Sequence, residues 1–416
     1  MKKIIALTLV LILAVGLFAG CKSSDKGSVY FLNFKPEADS AWQALAKTYT
    51  EKTGVTVKVV TAASGTYETT LTAEMAKKDA PTLFQCGNET ALDTWKDYCL
   101  ALDGTEFLNE MTTSDFNIKG EDGKTYCAGY CYEAFGIIVN TELLEKAGHS
   151  LDEIKDFASL KAVAEDITAH KDELGFAAFS SAGLDSSSSW RFSGHLANMP
   201  LYYEFRDDNV TEQPATITGK YLANYKNIWD LYMNNATCAP SELAAKTGDE
   251  SRAEFANGQA VFFQNGTWEY ANLTDASAMG FSMDPAKLAM IPIYCGVEGE
   301  EKAGLACGTE NCWAVNAKAS EEDQKATLDF MKWVVTSDEG TNAKESANVF
   351  FNNANHLMSE GNYTVTWAFN YTPNVESWRQ GVVDALLAYS TGSGDWSGVE
   401  TAFVNGWATQ YQLQEG

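Results

Sequence analysis

The sequence predicts an α/β protein built from doubly wound parallel sheets. In its first hundred residues, short β-type runs alternate with amphipathic stretches of helical period, in the order strand, helix, strand, helix, strand. This alternation produces a parallel sheet with helices on its faces. The chain has 416 residues, which is too many for one compact core, so we expect two domains.

The first three strands define the edge at which a ligand is expected. VYFLNF is the first strand, and the helix after it is predicted to end at Gly54. VTVKVVTA, TYETTLTAEMAKKDA and PTLFQCG then predict a strand, a helix and a strand. Parallel strands end at one edge of the sheet, and α/β proteins bind ligands there. We therefore expect the residues that follow these strands to lie near a ligand.

The same two patterns recur along the rest of the chain. FGIIVNTELLEKAG predicts a strand and a helix, DEIKDFASLKAVAEDITAHKDELG a helix, and SRAEFANGQAVFFQNGTWEY a helix, a strand and a turn. LAMIPIY and CWAVNA predict strands, EEDQKATLDFMKWVVTSDEG a helix ended by Gly340, and VESWRQGVVDALLAYSTG a further helix. Trp42, Trp95, Trp229 and Trp333 have apolar neighbours at helical spacing, so we expect them in the core.

The N-terminus predicts an export signal and a lipid anchor. Two lysines precede an apolar run over 4–18, which has the length of a signal peptide and is too short to span a membrane. The run closes in LFAGC, which resembles the bacterial lipobox, whose cysteine is acylated. We expect a signal peptide over 1–20, and a lipidated Cys21 with a flexible linker over 21–27. The anchor is the only expected contact with the membrane.

Charge and cysteine spacing exclude several functions. A formal charge of −26 repels nucleic acid and anionic lipid, so neither is an expected partner. Eight cysteines remain after Cys21, and outside the cell they can form disulfides whose pairing the sequence leaves open. The spacings Cys127-x3-Cys131 and Cys307-x4-Cys312 are not those of a zinc site. We therefore expect neither a metal nor a cofactor.

Four stretches carry a family resemblance. They are AASGTYETTLTAEMAKKDAPTLFQCGNE, YCYEAFGIIVNTELLEKAG, GQAVFFQNGTWEY and CWAVNAKASEEDQKATLDFMKWVVTSDEG. In this order they resemble the extracellular solute-binding proteins of ABC importers, specifically the carbohydrate-binding family related to maltose-binding protein. The cysteines and the stretch SSAGLDSSSSWRFSGHLANM depart from the family pattern, so the identity of the ligand does not carry over.

The resemblance implies the type II fold of periplasmic binding proteins, with two doubly wound lobes joined by a hinge that close on a solute. Lobe one would hold residues 28–136 and 289–338, and lobe two residues 137–288 and 339–416. It also implies a monomeric receptor without catalytic activity, which delivers its solute to the membrane subunits of an ABC permease. The predicted location is the outer face of the bacterial cytoplasmic membrane.

A sugar site needs flat aromatic rings for the apolar faces of the sugar and polar side chains for its hydroxyls. Trp268 follows Gly266 in a turn after a predicted strand, so we expect it to be a stacking platform with Glu269 beside it. Trp378 begins a late helix, at a position where relatives often stack a sugar. Trp190 is flanked by Ser and Arg, which favours an exposed ring.

The polar candidates lie where predicted strands end or crossovers begin. They are Asn33, Lys35, Tyr67, Glu68, Asn88 and Glu89, with Glu133 as the best hydroxyl acceptor and with His195 and Arg191 near Trp190. Trp313 leads into the second crossover, where it either lines the site or packs the hinge.

Three hypotheses about function remain open at this point. A neutral oligosaccharide is favoured, with maltodextrins and raffinose-type α-galactosides as candidates. A polyamine or another non-sugar solute could instead use Glu68, Glu89 and Glu133 together with aromatic rings. An anchored glycoside hydrolase would need two carboxylates across the scissile bond, which a chain with 56 acidic residues can supply by chance. The sequence has no nucleophile elbow, phosphate loop or His-Glu-x-x-His motif.

Overall fold

The structure, a computed structural model, describes residues 26–63, 66–111, 114, 116–340 and 349–415. The predicted signal peptide and Cys21 lie outside these residues. The chain forms two compact units. Unit 1 consists of Met1–Tyr130 and Asn311–Lys344, and unit 2 of Cys131–Glu310 and Glu345–Gly416.

The elements are numbered along the chain. The strands are β1 (Ser28–Asn33), β2 (Thr56–Thr61), β3 (Leu83–Cys86), β4 (Ile118–Lys119), β5 (Thr125–Cys127), β6 (Glu133–Asn140), β7 (Ala177–Phe179), β8 (Ala260–Gly266), β9 (Leu288–Ile291), β10 (Ala303–Gly308), β11 (Cys312–Val315) and β12 (Tyr363–Thr366). The helices are α1 (Asp39–Thr53), α2 (Tyr67–Met75), α3 (Glu89–Trp95), α4 (Glu106–Asn109), α5 (Thr141–Lys146), α6 (Phe157–Ala169), α7 (Lys171–Leu174), α8 (Ala197–Asp208), α9 (Leu222–Asn234), α10 (Gly248–Ala256), α11 (Glu269–Thr274), α12 (Ala276–Met279), α13 (Glu321–Thr336), α14 (Val349–Ser359), α15 (Val375–Ser390) and α16 (Trp396–Glu415). A π-helical turn, Arg191–Leu196, precedes α8.

Unit 1 is built on a four-stranded sheet in the order β11-β3-β1-β2. Strand β1 pairs in parallel with β2 and with β3, whereas β11 runs antiparallel to β3. The predicted alternation of strand and helix is therefore confirmed. Helix α1 ends as expected at Gly54, whose φ of 74° permits the αL cap and whose N–H donates to the Thr50 carbonyl at 2.9 Å. Trp42 and Trp95 are buried, and Trp333 is partly exposed.

Unit 2 is built on a sheet in the order β12-β10-β6-β8-β7, and β9 pairs with the C-terminal half of β6. Strand β6 is the only one of these that starts at the edge where β7, β8, β10 and β12 end, because it runs antiparallel to β8 and β10. Its residues from Ala134 to Asn140 are buried, as expected for a central strand covered on both faces. Trp229 is buried in this unit. Within the described ranges, no helix is both long and apolar enough to cross a bilayer.

The units divide the chain at other positions than the predicted lobes. Residues 289–310 lie in unit 2 rather than with lobe one, because β9 and β10 both pair with β6. Residues 131–136 lie there for the same reason, since β6 starts at Glu133. Helix α13 ends at Thr336 and not at Gly340, because Ser337 is extended with ψ of 152°.

Candidate ligand-binding site

The carboxyl edge of the unit 2 sheet brings together residues from distant parts of the sequence. Trp268 follows β8 at this edge, and Glu133 opens β6. Thr267 joins the two segments, because its N–H donates to the Ala134 carbonyl at 2.8 Å and its Oγ1 accepts from the Ala134 N–H at 3.3 Å. Trp268 and Glu133, both predicted site residues, therefore lie at one edge, and both side chains are half-buried.

An aromatic cluster lies at the same edge and consists of Trp190, His195, Trp268 and Phe135. The centroids of the half-buried Trp190 and Trp268 rings are 6.1 Å apart. His195 is 4.9 Å from Trp190 and 5.5 Å from Trp268, and it stacks on Phe135 at 4.0 Å with an interplanar angle of 7°. His195 and Phe135 are buried, so two partly exposed indoles are supported by two buried rings.

Further rings extend the cluster. Trp367 stacks on Phe135 at 5.5 Å, and the partly exposed Phe369 stacks on Trp367 at 5.6 Å. The guanidinium of Arg379 lies over the Phe369 ring at 5.6 Å from its centroid. Trp367 occupies the space beside Gly308, where a Cβ would lie 2.4 Å from the indole. The sheet edge thus presents several aromatic surfaces and one partly exposed cation.

A hydrogen-bond network fixes the Trp268 ring. The indole Nε1 donates to Asn265 Oδ1 at 3.0 Å, and Asn265 Nδ2 donates to Glu269 Oε1 at 3.1 Å. Arg252 in turn donates to both carboxylate oxygens of Glu269, at 2.6 and 2.9 Å. Glu269 is 3% exposed. Its carboxylate therefore positions Asn265 and, through it, the Trp268 ring. The expectation that Glu269 contacts a ligand is corrected, because its carboxylate is buried and paired with Arg252.

His195 is a neutral side chain in this structure. Burial holds its pKa well below the usual value, and the positive charges of Arg379 and Arg191 lower it further. Gln264 Nε2 donates to His195 Nδ1 at 2.8 Å, which leaves the imidazole proton on Nε2. Among the residues that the structure describes, none accepts that proton. His195 can therefore act as a neutral hydrogen-bond donor.

Arg191 is a buried cation beneath the cluster. It is 1% exposed, and its Nη1 donates to the Gln264 carbonyl at 2.9 Å. Its guanidinium lies 4.9 and 5.2 Å from the Phe192 and Phe263 ring centroids. Burial lowers the pKa of Arg191 to about 10, so the side chain stays charged at neutral pH. It supports the site from below and offers no exposed contact surface.

Trp378 lies in the core of unit 2, which corrects the expectation that it stacks on a sugar. It is 2% exposed, and its Nε1 donates to the Phe403 carbonyl at 2.9 Å. The rings of Phe403 and Trp407 cover it at centroid distances of 4.7 and 5.9 Å. Both belong to α16, a helix that the sequence analysis did not predict, although Val399, Phe403 and Trp407 repeat every four residues.

Trp313 lies in the core of unit 1. It is fully buried, and the half-buried Tyr130 ring stacks on it at 4.0 Å with an angle of 6°. Trp42 and Phe107 pack on it at 5.7 and 6.1 Å. The packing alternative therefore fits Trp313, and Tyr130 is the ring that is accessible at this position.

Several predicted residues at the unit 1 edge are hydrogen-bonded within the fold. Asn33 is fully buried, and its Nδ2 donates to the Lys35 carbonyl at 2.7 Å and to Thr61 Oγ1 at 3.1 Å. The buried Tyr67 hydroxyl accepts from the Gln85 N–H at 2.7 Å and lies 3.3 Å from the Leu32 carbonyl. These two side chains join strands and are not open to a ligand.

The other predicted residues of unit 1 are more accessible. Asn88 Oδ1 accepts from the Ala91 N–H at 2.9 Å and thereby caps α3, while the side chain stays half-buried. Lys35 is half-buried, with its ammonium 4.0 Å from Glu37. Glu68 and Glu89 are exposed. The edge of unit 1 therefore keeps partly accessible polar groups, and no described indole is exposed beside them.

Four residues around the indoles were not predicted from the sequence: Gln264, Asn265, Phe369 and Arg379. The first two could have been found, because two amides directly after an apolar strand signal a polar strand end. Phe369 and Arg379 carry no such signal, because they reach the cluster through the packing of a short 3-10 turn and of α15.

Comparison with known proteins gives one family and many similar folds. The sequence profile described as bacterial extracellular solute-binding protein matches residues 44–349. Among solved structures, RafE from Streptococcus pneumoniae has a TM-score of 0.69 at 15% identity, over 94% of this chain and 99% of that one. RafE has also been solved in complex with raffinose.

Two further structures are similar over comparable lengths. The GacH receptor of Streptomyces glaucescens, solved without ligand and with acarbose, has a TM-score of 0.67 at 17% identity, over 93% of this chain and 99% of that one. An ABC substrate-binding protein from Listeria monocytogenes in complex with cycloalternan has a TM-score of 0.66 at 14% identity, over 94% and 99%. No curated protein sequence matches significantly. At these identities the similarity establishes the fold, which is the predicted one.

Proposed function

This chain belongs to the family of bacterial extracellular solute-binding proteins, and from that premise we propose that it captures a neutral oligosaccharide for an ABC importer. The observation that carries the proposal is the pair of half-buried indoles, Trp190 and Trp268, at the carboxyl edge of the unit 2 sheet. Indole faces stack on the C–H faces of sugar rings. Two neighbouring indoles suit a ligand of more than one sugar unit.

The polar groups around the indoles suit an uncharged ligand. His195 is neutral and has a proton on Nε2 for a hydroxyl oxygen, while the carboxylate of Glu269 is paired with Arg252. Neutral hydrogen bonds contribute about 0.5 to 1.5 kcal/mol each, and micromolar affinity needs about 8 kcal/mol. A ligand therefore needs several such bonds in addition to stacking, which an oligosaccharide can provide.

The ligands of structurally similar proteins support the same class. Raffinose, acarbose and cycloalternan are carbohydrates bound by proteins of this fold. For this chain we propose maltodextrins or raffinose-type α-galactosides. A polyamine would instead need charged carboxylates around the indoles, and the carboxylate of Glu269 is already paired with Arg252, so the aromatic cluster favours the sugar.

The proposal includes the way in which the receptor works. The acylated Cys21 anchors a monomer to the outer face of the cytoplasmic membrane, and the protein releases its sugar unchanged to the permease. Replacement of Cys21 by Ser in the native host tests the anchor. We expect the variant to appear in the culture medium and the wild-type protein in the membrane fraction, and an unchanged membrane fraction would contradict lipidation.

A thermal-shift screen of the protein from Lys22 onward tests the ligand class. The panel contains maltodextrins, raffinose-series sugars, xylo- and manno-oligosaccharides, spermidine, phosphate and divalent metal ions. A ligand at 100 times its dissociation constant adds about 2.7 kcal/mol and raises Tm. A shift with one glycosidic series, recovered intact by mass spectrometry, supports the proposal. Cleaved sugar would indicate a hydrolase, and a shift with spermidine alone would overturn the sugar.

A further inference from the structure

Three cysteines that are far apart in sequence form a cluster in unit 1. The Sγ atoms of Cys86, Cys99 and Cys127 lie within 4.8 Å of one another. Their exposures are 0%, 6% and 0%. The cluster and the proposed sugar site are built from residues of different units, because Trp190 and Trp268 belong to unit 2.

Regular backbone pairing holds the three residues in place. Cys86 is the last residue of β3 and lies opposite Cys312 of β11. Cys99 follows a 3-10 turn, and its N–H donates to the Lys96 carbonyl at 3.1 Å. Cys127 ends β5, and the next residue, Ala128, exchanges backbone hydrogen bonds with Trp313 at 2.8 Å. The thiols are therefore carried by fixed segments and not by a loop that could separate them.

Most of the surroundings of the cluster are apolar, but the Glu68 carboxylate and the Tyr67 hydroxyl lie close enough to interact electrostatically with Cys86. Phe84, Leu92, Trp95 and Ile118 belong to the same buried group of side chains. Because the three cysteines are buried and held by backbone pairing, their sulfur atoms are already arranged to bind one metal ion. The Lys96 ammonium lies 3.4 Å from the centroid of the Tyr126 ring, beside the segments of Cys99 and Cys127, and is the nearby positive charge.

We propose that Cys86, Cys99 and Cys127 form a binding site for one Cu⁺ ion. Thiolates select soft d¹⁰ ions, of which Cu⁺ and Zn²⁺ are the common ones. Structural Zn²⁺ sites take four ligands. Among the described residues, this group of possible ligands has three members. The neighbouring Cys312 uses its Sγ to donate to the Phe116 carbonyl at 3.3 Å. In the described part of the chain this group offers three sulfurs, which favours Cu⁺ because Cu⁺ accepts trigonal coordination.

Binding is a ligand exchange without electron transfer. Each cysteine binds Cu⁺ as a thiolate, and a thiol proton that is still present passes to solvent as its Cu–S bond forms. Hydrogen bonds with Cys127 and Cys86 already lower the pKa of Cys99. Three thiolates and one Cu⁺ give the loaded site a net charge of −2. The charge must be compensated in a low-dielectric core, and we expect Lys96 to contribute. Because protons compete with Cu⁺ for the thiolates, Cu⁺ affinity should increase with pH.

Anaerobic titration of the reduced full protein with Cu⁺, against a colorimetric Cu⁺ chelator, tests the site. We expect one Cu⁺ per chain, with three sulfur neighbours by X-ray absorption. Cys99→Ala should lower the affinity at least 100-fold. Cys295→Ala, which removes a buried thiol from unit 2, should leave it unchanged.

Three results would overturn the proposal. The first is a wild-type protein that takes Cu⁺ from the chelator no better than the Cys99→Ala variant does. The second is a disulfide between two of the three cysteines in peptide maps of the non-reduced protein. The third is tighter binding of Zn²⁺ than of Cu⁺, with four sulfur neighbours and dependence on Cys312. If Cys99→Ala does not fold, the sulfur count in the wild-type protein decides alone.

Discussion

The carboxyl edges of the two sheets carry similar residue types but use them differently. In unit 1, Asn33 and Tyr67 connect strands and Asn88 caps a helix, so these three side chains are committed to the fold, whereas Glu68 and Glu89 stay exposed. In unit 2, Asn265 and Glu269 lie beneath the edge and hold the Trp268 ring half-exposed above them. The comparison shows that position at a strand end does not identify a ligand group. The bonds that a side chain already makes decide whether it is available.

The largest expected effect is on stability and comes from breaking the buried ion pair between Arg252 and Glu269 in unit 2. Arg252→Met leaves the buried carboxylate of Glu269 without its ion pair, which should lower the free energy of unfolding by about 3 to 5 kcal/mol. Chemical denaturation measures this. Lys47→Met, which breaks an exposed pair with Glu51, is the matched control and should have no measurable effect. An equally small effect of Arg252→Met would show that the network does not hold the site.

Removal of a ring should affect binding more than folding. We expect Trp268→Ala to weaken sugar affinity by tenfold to a hundredfold, or about 1.4 to 2.8 kcal/mol, measured by calorimetry. Trp333→Ala removes a half-buried indole from unit 1 and should leave affinity unchanged. Unchanged binding by a folded Trp268→Ala protein would remove this ring from the site.

His195 links the aromatic cluster to pH. Its folded pKa is lowered, so below about pH 6.5 the unfolded chain binds a proton that the folded chain does not. Stability must therefore fall as the pH falls. Between pH 7 and pH 5 the wild-type protein should lose up to about 2 kcal/mol more than His195→Gln. Denaturation at both pH values measures the difference, and equal losses would mean that His195 is protonated in the folded protein.

The smallest effect is expected at the edge of unit 1. Asn88→Ala removes the cap of α3 and should cost about 1 kcal/mol of stability, with less than a twofold change in affinity. Asn88→Asp keeps the capping oxygen and should restore stability. A tenfold loss of affinity in a stable Asn88→Ala protein would place this residue at the ligand and remove the contrast between the two edges.

Most of the fold could be predicted from the sequence, but less of the site could. Local patterns predict β1 to β3, α1 with its cap at Gly54, and the turn that carries Trp268, because propensity, period and capping act over a few residues. The burial of Trp378 depends on α16, the next helix along the chain, whose helical signal is weak because it contains Gly398 and Gly406.

Long-range convergence accounts for the rest. Cys86, Cys99 and Cys127 show no metal-binding spacing, and only the folding of three segments brings their sulfur atoms together. Arg191 was expected to be accessible near Trp190 and is instead buried, with its guanidinium donating to the carbonyl of Gln264 in β8. Neither outcome follows from local sequence.

Gly266 has a consequence for the thermodynamics of binding. A Cβ at this position would lie 2.2 Å from the Trp268 ring, so the indole rests directly against the backbone. With Asn265 holding its nitrogen, the ring has little rotamer freedom left to lose. Ordering a free aromatic side chain on binding costs about 0.5 to 1.5 kcal/mol, and this ring is already ordered in the folded protein. If the proposed sugar binds at this ring, the missing side chain at Gly266 reduces the entropic loss on binding.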